Sequence, residues 1–208
     1  MPRHADKQVG KQQSPINITG YVSGGVPELS FEYGGSAECL TNTGEFVKVI
    51  YEIGGGIRLG GESYQVVEAH MHNPSEHTVE GQRFALETHL VHRRGDEIAV
   101  VGILYRHGEP NAAIEAVIEA APGLGEADVP ASGLTASEFL PSGRGYYAYT
   151  GSLTTPPYTE GVKWHVMSEV LEVSAEQVER LAALTGGGEN SREVQGLNGR
   201  SIISYRMR

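Results

Sequence analysis

The segment VVEAHMHNPSEHTVEGQRFALETHLVH, Val66 to His92, holds five of the chain's eight histidines and four glutamates. Its two ends lie in runs that read as strands, SYQVVEAHMH (Ser63–His72) and RFALETHLVH (Arg83–His92). Asn73-Pro74 and Glu80-Gly81 between them are turn signals. Side chains alternate along a strand, so His70 and His72 project from one face, about 6.5–7 Å apart at their bases. His89 lies on the later strand, after the turns. Two imidazoles from one strand and one from a neighbour can converge on a tetrahedral ion. Three neutral imidazoles suit zinc and leave a fourth position for water.

A lone H-x-H pair arises by chance and would read as surface or core histidines in hydrogen bonds. The alternation adds more. Glu68 shares the face of His70 and His72, and Glu87 shares the face of His89. Carboxylates behind ligand histidines accept from the second ring nitrogen, fix the tautomer and raise basicity. Glu68 by itself would equally read as a solvated or ion-paired side chain. His77, His92 and His165 read as core hydrogen-bonding residues. His4 and His107 read as solvent-facing.

Working outward, EFVKVIYEI (Glu45–Ile53) is rich in strand formers, and GGGIRLGG reads as a turn with a short strand. EIAVVGILYRH (Glu97–His107) and SIISYRM near the C-terminus are further strands. Two segments have helical signatures. PNAAIEAVIEAA (Pro110–Ala121) places Ile114, Val117 and Ile118 at helix spacing and stops before Pro122. SAEQVERLAALTGGG opens with Ser174 as N-cap and Gln177 at the capping-box position, and stops at Gly186. Many strands and two short helices without βαβ alternation predict a mainly β (α+β), largely antiparallel domain. No linker divides residues 1–208, and residues 1–12 are expected to be a disordered arm.

The 208 residues carry a formal net charge of −10, with a pI near 5.3. Nucleic-acid partners need a basic face, which this balance argues against, and it argues equally against docking on anionic lipid. No run approaches the roughly 18 apolar residues of a membrane span. Cys39 is the single cysteine, so neither an intrachain disulfide nor a thiolate metal cluster can form. MPRHADKQVGKQQ lacks an apolar leader, which predicts a cytoplasmic location, or a periplasmic or secreted one if a leader was removed earlier.

The zinc segment, read with four other stretches, resembles the α-class carbonic anhydrases, the bacterial type especially. Those stretches are QSPINI (Gln13–Ile18), LTNTGEFVKV, YYAYTGSLTTPPYTEGVKW (Tyr146–Trp164) and NSREVQGLNGR (Asn190–Arg200). The resemblance implies a large, mostly antiparallel twisted central sheet with a few short peripheral helices. It also implies a Zn2+ cofactor held by His70, His72 and His89, and reversible hydration of carbon dioxide to bicarbonate through zinc-bound hydroxide. Thr154 would accept from that hydroxide and donate to Glu76. Glu87 would orient His89, and the carbonyl of Asn190 would orient His72. Thr155 would line the substrate site, and Val91, Val100, Leu153 and Trp164 would form the apolar wall for carbon dioxide. Tyr149 would join the hydrogen-bond network, and Pro156–Pro157 would be cis. The partner is the small-molecule substrate, and a homodimer is a candidate assembly.

The chain departs from the family pattern at several positions. Glu45 stands where fast members carry a proton-shuttle histidine, and Glu68 where they carry a ligand-orienting glutamine. Tyr158 stands where bacterial relatives place one cysteine of a disulfide. The alternative reading is a low-activity or non-enzymatic carbonic-anhydrase-related binding domain. Such domains have lost ligands, whereas the triad, Thr154 and Glu76 are all present here. A metalloprotease or serine esterase lacks support, because neither H-E-x-x-H nor G-x-S-x-G occurs.

Overall fold

The computed structural model describes residues 10–25, 27–52, 55–131 and 133–206. The expectations for His4, for Ile53 and for disorder in residues 1–9 lie outside these residues. Gln12, at the end of the expected arm, donates its N–H to Glu160 Oε1 at 2.7 Å.

Among the described residues a 13-stranded twisted sheet dominates. At its centre the strands Val47–Ile50, Glu62–His72, Leu86–Arg94 and Glu97–His107 run side by side, each antiparallel to the next. Beyond them lie Glu160–Met167, Tyr146–Ser152 and Ile203–Tyr205. Most pairs are antiparallel, as expected, yet the sheet is mixed. Glu97–His107 pairs in parallel with both Glu160–Met167 and Leu171–Val173. A parallel neighbour requires a crossover, and the chain between them carries the helix Ala112–Ala120.

The strand Glu97–His107 shows how the sheet separates two cores. Ala99, Val101, Ile103 and Tyr105 join the helical side, with Ile114, Val117 and Leu181. Ile98, Val100 and Leu104 face the other way, toward Val91, Trp164 and Val166. This is the period-two alternation of a strand buried on both faces. Both helices form within the expected segments. Asn111 accepts from the N–H groups of Ala113 and Ile114. Ser174 and Gln177 complete the capping box of Ala175–Leu184. The expected strand Arg83–His92 is broken into Gln82–Arg83 and Leu86–Arg94.

His77, His92 and His165 are core residues, and His107 is exposed. His92 Nε2 meets the Tyr33 hydroxyl at 2.8 Å. Burial lowers His92 to about 3, against the pull of the Ala99 carbonyl, and lowers His165 to about 4. Each histidine is charged in the unfolded chain below about pH 6.5 but neutral in the fold. Their stabilising contribution is therefore complete above pH 6.5 and is lost as pH falls toward 4 and 3. Going from pH 7 to 5 should cost about 2 kcal/mol per histidine. Urea unfolding at the two pH values checks this, and His92→Gln should flatten the slope by about one proton.

Candidate metal centre

Register brings the three histidines together. His70 and His89 are direct cross-strand partners, and His72 faces Glu87 on the same ladder. On the other side of His70 the partner is Lys48. One ring nitrogen from each of His70, His72 and His89 lies within 4.8 Å of the other two. The Phe46 ring packs on His70 and His72, with centroids 5.3 and 5.0 Å away.

Each ring has a neighbour at its other nitrogen. His89 Nε2 lies 3.0 Å from Glu87 Oε1. His72 Nδ1 lies 3.3 Å from the Asn190 carbonyl. His70 Nδ1 lies 2.9 Å from Glu68 Oε1, though off the ring N–H axis, so the approach falls short of a hydrogen bond. Carboxylates and carbonyls only accept. The proton of His89 therefore sits on Nε2 and that of His72 on Nδ1, leaving His89 Nδ1 and His72 Nε2 bare. Burial lowers His72 to about 3 and His89 to about 4. Both are neutral at pH 7, the form that binds a metal.

The carboxylates are held as firmly. Glu87 Oε2 accepts from the N–H groups of Glu76 and His77 at 2.9 and 2.8 Å. Its Oε1 also accepts from His77 Nδ1 at 2.7 Å. Burial alone would raise the Glu87 carboxyl, but His77 and His89 bring it well below its usual value. A Cβ on Gly102 would lie 3.0 Å from Glu87 Oε1, so an added methyl would have to displace this carboxylate by a few tenths of an ångström. Glu68 behaves similarly: burial pushes it up, while His70 and Lys48 bring it to about 2. Lys48 Nζ lies 3.1 Å from Glu68 Oε2. Sequence reasoning missed Lys48, although its place between Val47 and Val49 put it on the polar face of a strand.

A cavity of about 210 Å³ opens over His70 and His89. All four expected wall residues, Val91, Val100, Leu153 and Trp164, line it, with Thr154 and Thr155. Val67 joins them because a bulge between Val91 and His92 shifts the ladder. Glu76 is buried, and its Oε1 accepts from the Arg192 N–H at 2.8 Å. Among the described residues no hydrogen bond joins Thr154 to Glu76, and Glu76 Oε2 is buried without a partner. Glu45 is not brought to this cavity. It is exposed and lines a separate groove with Gly186, Gly188 and Asn190. Pro156–Pro157 is cis, and Tyr149 Oη lies 2.7 Å from His77 Nε2.

The family model for eukaryotic-type carbonic anhydrase matches residues 2–206. "Alpha carbonic anhydrase 3" of Arabidopsis thaliana is 38% identical, over 93% of this chain and 74% of that protein. A carbonic anhydrase of Neisseria gonorrhoeae is 36% identical, over 93% and 77%. The solved structure of a hyperthermostable carbonic anhydrase from an active hydrothermal vent chimney has a TM-score of 0.90 at 38% identity, covering 95% of this chain and 89% of that one. With this fold, this cluster of imidazoles and this match along almost its whole length, the chain belongs to the α-class carbonic anhydrases, lyases that interconvert carbon dioxide and bicarbonate.

Proposed function

We propose that the chain carries out this reaction at a Zn2+ ion held by His70, His72 and His89. The observation that carries the reading is the cluster of three imidazoles beside an apolar cavity, with His72 Nε2 buried and, among the described residues, unpartnered. A buried acceptor without a partner costs roughly 1–3 kcal/mol, which a bound ion would remove. Three imidazole donors with room for water fit zinc. Zinc there would acidify a water to a pKa of about 7, a figure that is carbonic anhydrase's own.

The remaining roles belong to the protein. Val91, Val100, Leu153 and Trp164 hold the uncharged, apolar substrate beside the histidines. Thr154 would donate a hydrogen bond from its hydroxyl to Glu76 Oε2, which leaves an oxygen lone pair to accept from the nucleophile's O–H. The nucleophile's own lone pair then points at the substrate carbon. Thr155 borders the place where the anionic product forms. Glu87, Glu68 and Asn190 orient the ligands.

Zinc analysis paired with a stopped-flow carbon dioxide hydration assay tests the proposal. One zinc per chain and rapid hydration are expected. A zinc-loaded chain that hydrates no carbon dioxide would overturn it.

Proton removal is the step for which this chain is least equipped. A histidine relay works because its pKa of about 6.5 allows both loading and release near neutrality. At the shuttle position stands Glu45, exposed on a different groove. We expect kcat to rise with added imidazole buffer while kcat/KM stays flat. Glu45→His should raise kcat in weak buffer. A high, buffer-insensitive kcat would show that another route carries the proton.

A further inference from the structure

Thr154 and Glu76 lie far apart in the sequence, and one residue touches the structural supports of both. We propose that Arg192 is a positioning residue that sets this pair in register, an inference that rests on the roles given to Thr154 and Glu76 above.

Its main chain acts on the acceptor. The Arg192 N–H bonds to Glu76 Oε1 at 2.8 Å. That oxygen is thereby occupied, and Oε2 is the one left to accept a hydrogen bond. The Arg192 side chain acts on the donor's turn. Leu153 N–H to the Thr159 carbonyl and Tyr158 N–H to the Thr155 carbonyl, both 2.9 Å, close the loop that contains Thr154. At the end of that turn Tyr158 adopts φ +60°, a left-handed conformation that a non-glycine residue holds only with support. The Arg192 guanidinium lies 3.8 Å from the centre of the Tyr158 ring. A cation over an aromatic face at that distance is attractive.

The guanidinium is itself anchored. Its Nη1 donates to Gln13 Oε1 at 2.9 Å and to the Ser14 carbonyl at 2.7 Å. Gln13 is buried, and its Nε2 donates to the Tyr158 carbonyl at 3.3 Å and to Glu160 Oε1 at 2.9 Å. The N-terminal segment, the Thr154 turn and the C-terminal segment thus meet at one side chain. Displacing that side chain releases the turn on one side and the peptide that holds Glu76 on the other.

Misplacement of a catalytic group by a fraction of an ångström lowers turnover without weakening substrate binding. In imidazole buffer strong enough that proton removal does not limit turnover, Arg192→Met should therefore reduce kcat and kcat/KM about tenfold, with KM and zinc content near those of the parent. Tyr158→Leu should do the same, and Tyr158→Phe, which keeps the ring, should restore the parent rate. Residues acting through one another are not additive. In a Thr154→Ala background, either damaging substitution should cost nothing further.

Equal losses with and without Thr154 would mean that Arg192 acts elsewhere, and the inference falls while the role of Thr154 stands. A Thr154→Ala enzyme with unchanged kcat/KM would instead remove the reading beneath both. Should Arg192→Met fail to fold, the cycle of Tyr158→Leu with Thr154→Ala answers the same question. Full activity in Tyr158→Leu would refute the stack's part in it.

Discussion

His89→Ala is expected to leave a folded chain that holds little zinc and hydrates no carbon dioxide above background. In the proposed centre His89 is the ligand supplied by the second strand, and its position follows from direct pairing with His70. Two ligands from one strand cannot close a tetrahedral site. Losing a partner that merely orients a ligand costs roughly 10–100-fold in metal affinity, and losing the ligand itself should cost more. Glu87 would keep three of its four donors, the N–H groups of Glu76 and His77 and the His77 ring, so the strand has no reason to unravel. Zinc content after dialysis and stopped-flow hydration measure the two effects separately. A variant that retains one zinc and full activity would sink the assignment of this ligand.

Thr154→Ala should have the opposite signature, with the metal kept and the rate lost. Thr154 lies on the cavity wall and outside the histidine cluster. Removing one aimed interaction of this kind costs roughly 10²–10³-fold in kcat, by analogy with oxyanion donors. The truncation removes the hydroxyl proposed to donate to Glu76 Oε2. Zinc content, KM and kcat are the readouts. An unchanged kcat/KM would contradict the role.

The features legible in the sequence were those written in short-range patterns. Glu97–His107 is a nearly unbroken run of apolar, largely β-forming residues from Ile98 to Tyr105, and it forms a strand with those limits. The capping box at Ser174 and Gln177 is local and forms as read. His70 and His72 were legible as a pair because two residues apart on a strand means one face. Periodicity did not single out Tyr146–Ser152 or Glu160–Met167, because strands packed on both sides lose the alternation that marks an exposed face. Long-range convergence was harder still. Nothing near Lys48 announces Glu68, and nothing near Arg192 announces Gln13, Tyr158 and Glu76. Thr154, Glu76 and Asn190 came into view only through resemblance, since they reach the site from separate turns.

The single negative charge on Glu87 also sets an arrow through the interior. Because it cannot donate, a neutral His77 must present a hydrogen to it from Nδ1 and turn Nε2 toward Tyr149 as an acceptor. The Tyr149 hydroxyl must then point at His77, so the Ser14 hydroxyl, 2.8 Å away, must point at Tyr149. Ser14 Oγ is left to accept from the Ser152 N–H at 3.0 Å. Every hydrogen from Ser152 to the edge of the metal centre has one allowed orientation, and no rotor along this path is free to flip. The path is a polarised wire, with its negative pole against His89. Reversing any one link would require reversing all of them, and Glu87 forbids that at its end.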